Sequence, residues 1–210
     1  HIKYHDGGRT LSTIIASLEE LGYKVSWDVL NAKDFGLAQN RERVIIIASR
    51  GKRFDFQQIP TRKGRRIADI LDYDGEFDYL SPEEYTLIEE PKIQRLSGLQ
   101  FVGYRNKSIR KNGVRPGTLH LSRTHKQPNR IYGSEGTHPT LPSQESSGRF
   151  FILHEGRVRK LTVNECMKLM GLPSQFKPFS TNGNLYRQIG NSIAVPMVEG
   201  VGREIVQQIF

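Results

Sequence analysis

Residues 39–48 read Gln39-Asn40-Arg41-Glu42-Arg43-Val44-Ile45-Ile46-Ile47-Ala48. The run from Val44 to Ala48 is β-branched and lacks polar alternation, so it predicts a strand buried on both faces. Arg41 and Arg43 precede it at i and i+2, and an extended chain points such a pair the same way, at the rim of a sheet. Each arginine offers a planar fork of donors suited to a phosphate or a pyrimidine carbonyl. A surface ion-pair ladder with Glu42 is the plainer use of the same residues. Upstream, Leu11, Ile14, Ile15, Leu18 and Leu21 recur at helical spacing and Gly22 closes the run. Tyr23 to Leu30 then alternates Val25, Trp27 and Val29 with polar residues, as a strand does. Helix, strand, loop and buried strand together describe the edge of an α/β sheet that needs more strands than this chain supplies.

Downstream, Ser81-Pro82-Glu83-Glu84 has capping-box order and predicts the start of a short helix. From 101 to 150 the composition shifts to Gly, Arg, Asn, His, Thr and Ser, with strand-like pieces at Thr118 to Leu121 and Phe150 to Leu153. Thr162-Val163-Asn164-Glu165 is a second capping box, opening a helix that Gly171 ends. At the C-terminus Met197, Val201, Ile205 and Ile209 recur every four residues, an amphipathic helix with one face seeking a core.

The chain has 210 residues, 36% hydrophobic and 25% charged, which is enough apolar material for a core and excludes wholesale disorder. No stretch approaches the roughly 18 consecutive apolar residues of a membrane span, so no membrane partner is expected. Cys166 is the single cysteine, which forbids an internal disulfide and favours a reducing, cytoplasmic setting. The chain opens on His1 with neither an initiator Met nor a signal-like apolar run, and reads as a piece of something longer. Of the net charge of +9, eight units fall in residues 101–130, which hold Arg105, Lys107, Arg110, Lys111, Arg115, Arg123, Lys126 and Arg130 and no acid. That concentration predicts a polyanionic partner met by the middle of the chain. A solvated basic loop is the bland alternative.

Three ordered stretches carry a resemblance. Gln39 to Val44 is one. The second is Arg159-Lys160-Leu161-Thr162, then Glu165-Cys166, then Leu169-Met170-Gly171-Leu172-Pro173. The third is Tyr186-Arg187-Gln188-Ile189-Gly190-Asn191-Ser192-Ile193-Ala194-Val195-Pro196. In that order and spacing they resemble motifs eight, nine and ten of the DNA (cytosine-5) methyltransferase family. His5-Asp6-Gly7-Gly8-Arg9-Thr10 is similar to the segment after the family's Glu-Asn-Val motif, and Thr137-His138-Pro139-Thr140-Leu141 to the segment closing its recognition domain.

The resemblance implies an α/β fold: the C-terminal portion of a Rossmann-like S-adenosylmethionine-dependent domain plus a smaller, mostly β and loop target-recognition domain. Residues 1–50 would hold the last helix and strands of the catalytic domain, 51–158 the recognition domain, and 159–210 motifs nine and ten. It further implies that Arg43 contacts the carbonyl of a flipped cytosine with Arg41 supporting it, and that Gly190, Asn191 and Ser192 line the S-adenosylmethionine pocket. Arg159 and Thr162 would be structural, Thr162 as a helix cap. Within the basic middle, Arg123, Lys126, Gln127 and Arg130 are the candidates for contact with double-stranded DNA, mixing phosphate donors with a side chain able to read a base edge. His120 and His125 have no Cys or carboxylate completing a set, so no metal site is expected.

The family's cofactor loop and its Pro-Cys-Gln and Glu-Asn-Val segments have no counterpart in these residues. Cys166 does not replace the nucleophile: it lies inside a capped helix, without the donors that lower a thiol pKa. The expectation is therefore a cytosine-5 DNA methyltransferase part that is inactive alone and is completed by an N-terminal part, in one chain or as a separate subunit. It would accompany restriction-modification in a bacterial or archaeal cytoplasm. A stand-alone sequence-specific DNA-binding module without catalysis is the alternative. A tRNA-methylating relative fits less well, because that branch has a short recognition segment.

Overall fold

The computed structural model describes residues 2–106, 129–143 and 150–210. Helix α1 spans Arg9–Glu20. Gly22 takes φ +83° after it, its N–H donating to Glu19 O at 2.9 Å while Tyr23 N–H reaches Leu18 O at 3.1 Å. That paired closure needs a left-handed residue, which is why the helix stops at glycine. Strand β1 (Lys24–Asn31) follows, then the two-residue β2 (Gln39–Asn40) and β3 (Glu42–Ser49). β1 and β3 pair antiparallel from Lys24↔Ser49 to Asn31↔Glu42. The Asn31 side-chain oxygen holds the connection, accepting from Lys33 N at 3.3 Å and from Arg41 N at 3.0 Å.

The double-sided burial predicted for Val44–Ala48 does not occur. These residues are half-buried, because β1 and β3 form a two-stranded sheet and, among the described residues, no strand pairs with the other edge of β3. One face of β3 is covered: Ile45 and Ile47 join Phe35, Phe54, Ile59, Met197 and Val201 in one cluster, with Ile205 and Ile209 at its margin.

The predicted helix at Ser81 is one 3-10 turn, Pro82–Glu84, fastened by Ser81 N–H to Glu84 Oε2 at 2.9 Å. The following Tyr-Thr-Leu-Ile favours extended backbone, and the chain continues as β4 (Tyr85–Ile93). With β5 (Gln100–Arg105), β6 (Arg130–Gly133), β8 (Phe151–His154) and β9 (Arg157–Lys160) it forms a five-stranded sheet in the order β4-β5-β6-β8-β9. Pairing there is antiparallel except between β6 and β8. The short β7 (His138–Pro139) leaves that sheet and pairs parallel with β2.

Helix α2 (Val163–Met170) is capped as its sequence predicts: Glu165 N–H donates to Thr162 Oγ1 at 3.1 Å, and Thr162 N–H to Glu165 Oε2 at 2.8 Å. Helices α3 (Asn182–Asn191) and α4 (Val195–Ile209) complete the chain. Cys166, Leu169 and Met170 of α2 and Leu185, Tyr186 and Ile189 of α3 share a core with Phe150, Ile152, Ile67 and Ile70. Phe54 and Ile59 pack under α4, and Ile67 to Leu71 pack against α2 and α3, so the first and last segments are already joined by residues 51–71.

Candidate functional site

Ile2, Asn40, Glu42, Arg43, Val44 and Thr140 line a pocket of about 540 Å³. Arg43 is the second residue of β3 and is half-buried there, one Nη donating to the carbonyl of Glu42 at 2.6 Å. Partial desolvation lowers its pKa from the ordinary arginine value. On the same pocket, Thr140 Oγ1 donates to Asn40 O at 3.0 Å, which ties the segment after β7 to β2.

Arg41 goes elsewhere. It stands between β2 and β3, outside either strand, and its side chain turns inward to 1% exposure. One Nη donates to Gly190 O at 3.0 Å and to Ser192 O at 2.5 Å, and the other reaches Leu141 O at 3.4 Å. Burial, reinforced by repulsion from Arg43, lowers its pKa to about 10, which leaves it charged at neutral pH. The two arginines therefore do not share a destination, because the irregular backbone at Arg41 breaks the strand's two-residue repeat.

Gln39 is a third member of this element that spacing did not single out. Its Nε2 donates to Leu169 O at 3.0 Å and its Oε1 accepts from Leu141 N at 3.0 Å, bridging the end of α2 to the segment after β7. Asn40 and Thr140 belong to stretches 100 residues apart, and nothing in the sequence says that they meet.

Gly190, Asn191 and Ser192 end α3. A β-carbon on Gly190 would stand 2.1 Å from Pro142 O, so the glycine admits this chain's own backbone. The Ser192 hydroxyl donates to Ile189 O at 2.7 Å. Asn191 is exposed next to the 44% exposed Ile193, an amide beside an apolar surface.

Behind α2, Arg159 and Glu165 form a two-pronged ion pair of 2.9 and 2.6 Å at 3% and 0% exposure. Glu165 also accepts from Asp72 N at 2.9 Å. Asp72 accepts from Thr162 Oγ1, Asn164 Nδ2 and Lys168 Nζ at 2.9, 2.8 and 2.7 Å. Partial burial pushes the Asp72 carboxyl up, but these donors outweigh it and the net shift is downward. Cys166 has no exposure, and burial with the neighbouring Glu165 charge pushes its thiol well up, so it stays protonated.

A further groove, about 990 Å³, is lined by Arg62, Lys63 and Arg65 together with Asp72 and Lys168, and shares no residue with the Arg43 pocket. Of the DNA-contact candidates, Arg123, Lys126 and Gln127 lie outside the described residues. Arg130 opens β6 with its guanidinium 5.3 Å from the centre of the Phe101 ring.

The family model for the C-5 cytosine-specific DNA methylase matches residues 1–207. The chain belongs to that family. Among its relatives, the Type II methyltransferase M.HaeII of Haemophilus aegyptius is 31% identical over 206 residues, an alignment covering 98% of this chain and 58% of that protein. The Type II methyltransferase M.NlaX of Neisseria lactamica is 27% identical over 209 residues, covering 97% of this chain and 59% of the relative. The chain thus spans a little under three fifths of the length of these two relatives. The fold matches as well: the Dnmt2 methyltransferase of S. pombe superposes with a TM-score of 0.60 at 17% identity, over 97% of this chain and 62% of that one. The fold is therefore α/β, part of a Rossmann-like methyltransferase domain with a second, mostly β sheet.

Proposed function

We propose that this chain is the C-terminal part of a DNA cytosine-5 methyltransferase of the restriction-modification type. It supplies target recognition, the base contact and one wall of the cofactor pocket, and works in the cytoplasm on double-stranded DNA. The observation that carries this reading is the Arg43 pocket, which a partly desolvated guanidinium lines together with Asn40 and Thr140. The loop bearing Asn191 is tied to the adjacent Arg41. The nucleophile belongs to an upstream part, because Cys166 is buried and protonated.

The chemistry of cytosine explains the arrangement. Carbon five is a poor nucleophile, so a thiolate must first add to carbon six, and negative charge then spreads over the ring toward its carbonyl oxygen. A target base must leave the helix to be reached. Arg43 accepts the flipped base and stabilises that charge with a donor fork already held in place. S-adenosylmethionine supplies the methyl group. The residues present fit it in part: Asn191 offers a free amide to hold it, whereas Gly190 and Ser192 shape the turn, one against Pro142 and the other through Ile189. Arg123, Lys126, Gln127 and Arg130 contact the DNA, and the recognition unit runs from about residue 72, where the chain leaves the shared core, to β9.

The test is transfer of a labelled methyl group from S-adenosylmethionine to mixed-sequence DNA, by the chain alone and with an upstream part carrying a Pro-Cys-Gln segment. Activity only in the mixture supports the proposal. Activity from the chain alone would place the nucleophile at Cys166. DNA binding without transfer in either case would leave a binding module.

A further inference from the structure

Arg41 combines three features that rarely coincide. It is a buried cation, 1% exposed, with no carboxylate within ion-pair distance among the described residues. Its three donor contacts all go to main-chain carbonyls, and its Nε is buried without a partner. Those carbonyls come from two separate stretches. Gly190 and Ser192 lie at the C-terminal end of α3, where unpaired carbonyls and the helix dipole favour a cation. Leu141 follows Thr140, which lines the same pocket as Arg43. A side chain so costly to desolvate is held by what it fastens, not by an ion pair.

We propose that Arg41 is a positioning residue that couples the two ligands: by fastening the segment of Thr140 and the turn of Asn191 to the strand of Arg43, it makes the base side and the cofactor side of the site move as one body. This rests on the methyltransferase reading above. Arginine is required because two Nη atoms diverging from one plane reach carbonyls on different segments, which a single ammonium does not. The Pro142 carbonyl lodged against Gly190 closes the same junction from the other side. Binding at either side then orders the junction for the other, and such coupling is reciprocal.

The test measures the dissociation constant of S-adenosylhomocysteine with and without a methylatable duplex, in the chain completed by its upstream part. Parent, Arg41→Lys and Arg41→Gln are compared, and thermal melting reports folding separately. The parent should bind the ligand more tightly with the duplex, by a factor of about 5 or more. That ratio should fall close to one in Arg41→Gln and to an intermediate value in Arg41→Lys, with weaker ligand binding but both variants folded. If Arg41→Gln does not fold, Arg41→Lys, which keeps the buried charge, decides alone. An unchanged ratio in a folded variant, or a ratio of one in the parent, overturns the coupling role. A parent that binds no S-adenosylhomocysteine under either condition overturns the methyltransferase reading instead, and the coupling with it.

Discussion

The Cα of Gly190 faces the carbonyl oxygen of Pro142 so closely that a β-carbon added there would stand 2.1 Å from it. The neighbour is backbone, so it cannot swing aside as a side-chain tip would. Gly190→Ala should therefore lower stability by about 1–3 kcal/mol, the usual cost of overpacking, and displace the Asn191 turn. Urea unfolding checks the first effect. Cofactor KM checks the second, and should rise more than DNA KM. A variant with parental stability and KM would show that the junction yields freely.

Arg43→Ala should abolish methyl transfer in the completed enzyme while duplex binding, followed by gel shift, stays near the parental value. The side chain lines the pocket, and among the described residues its hydrogen bond goes to the Glu42 carbonyl. Equal loss of binding and transfer would move Arg43 from base contact to DNA docking.

The Arg159–Glu165 pair is buried and fully paired, so removing one partner strands the other. Arg159→Ala or Glu165→Ala should each cost about 3–5 kcal/mol. The double change Arg159→Met with Glu165→Leu should cost less than the two single ones summed, since it leaves no orphaned charge although it still takes the acceptor from the Asp72 and Thr162 N–H groups. Denaturant titration of the three variants settles it, and additive costs would mean that the two side chains act separately.

Asp72 contributes a pH dependence of definite sign. Its folded pKa lies below the ordinary 3.8, because Lys168, Thr162 and Asn164 donate to the carboxylate more strongly than burial opposes it. The unfolded state therefore takes up the proton first as pH falls. The stabilisation is whole above the unfolded value and disappears as pH drops below it through the folded value. Parent and Asp72→Asn should differ in melting temperature by a constant amount from pH 7 to about pH 5, and converge in stronger acid. A gap that widens on acidification would contradict the assignment.

Cys166 should resist alkylation in the native chain at pH 8 and react at once in denaturant, since it has no exposure and a raised thiol pKa. Cys166→Ala should retain methyl transfer in the completed enzyme. Loss of transfer in a folded variant would return Cys166 to the chemistry.

Much of the local structure was legible in the residues themselves. Gly22 stops α1 and Thr162 with Glu165 starts α2, because caps act within a few residues of backbone. The four-residue spacing from Met197 to Ile209 names the buried face of α4 before its partners are known. The helix expected after Ser81 shrank to one turn because the next residues prefer strand, a competition that capping order alone does not weigh.

The sequence by itself determined the elements, the order of the three methyltransferase-like stretches and the concentration of positive charge in residues 101–130, since each depends on near neighbours or on composition. Tertiary structure decided how the two arginines of one short stretch divide: Arg43 faces a pocket, and Arg41 clamps carbonyls 100, 149 and 151 residues away in the chain. The reason is physical. A guanidinium's role follows from which acceptors surround it and how much water remains, and at Arg41 both are set by segments that only the folded chain brings together.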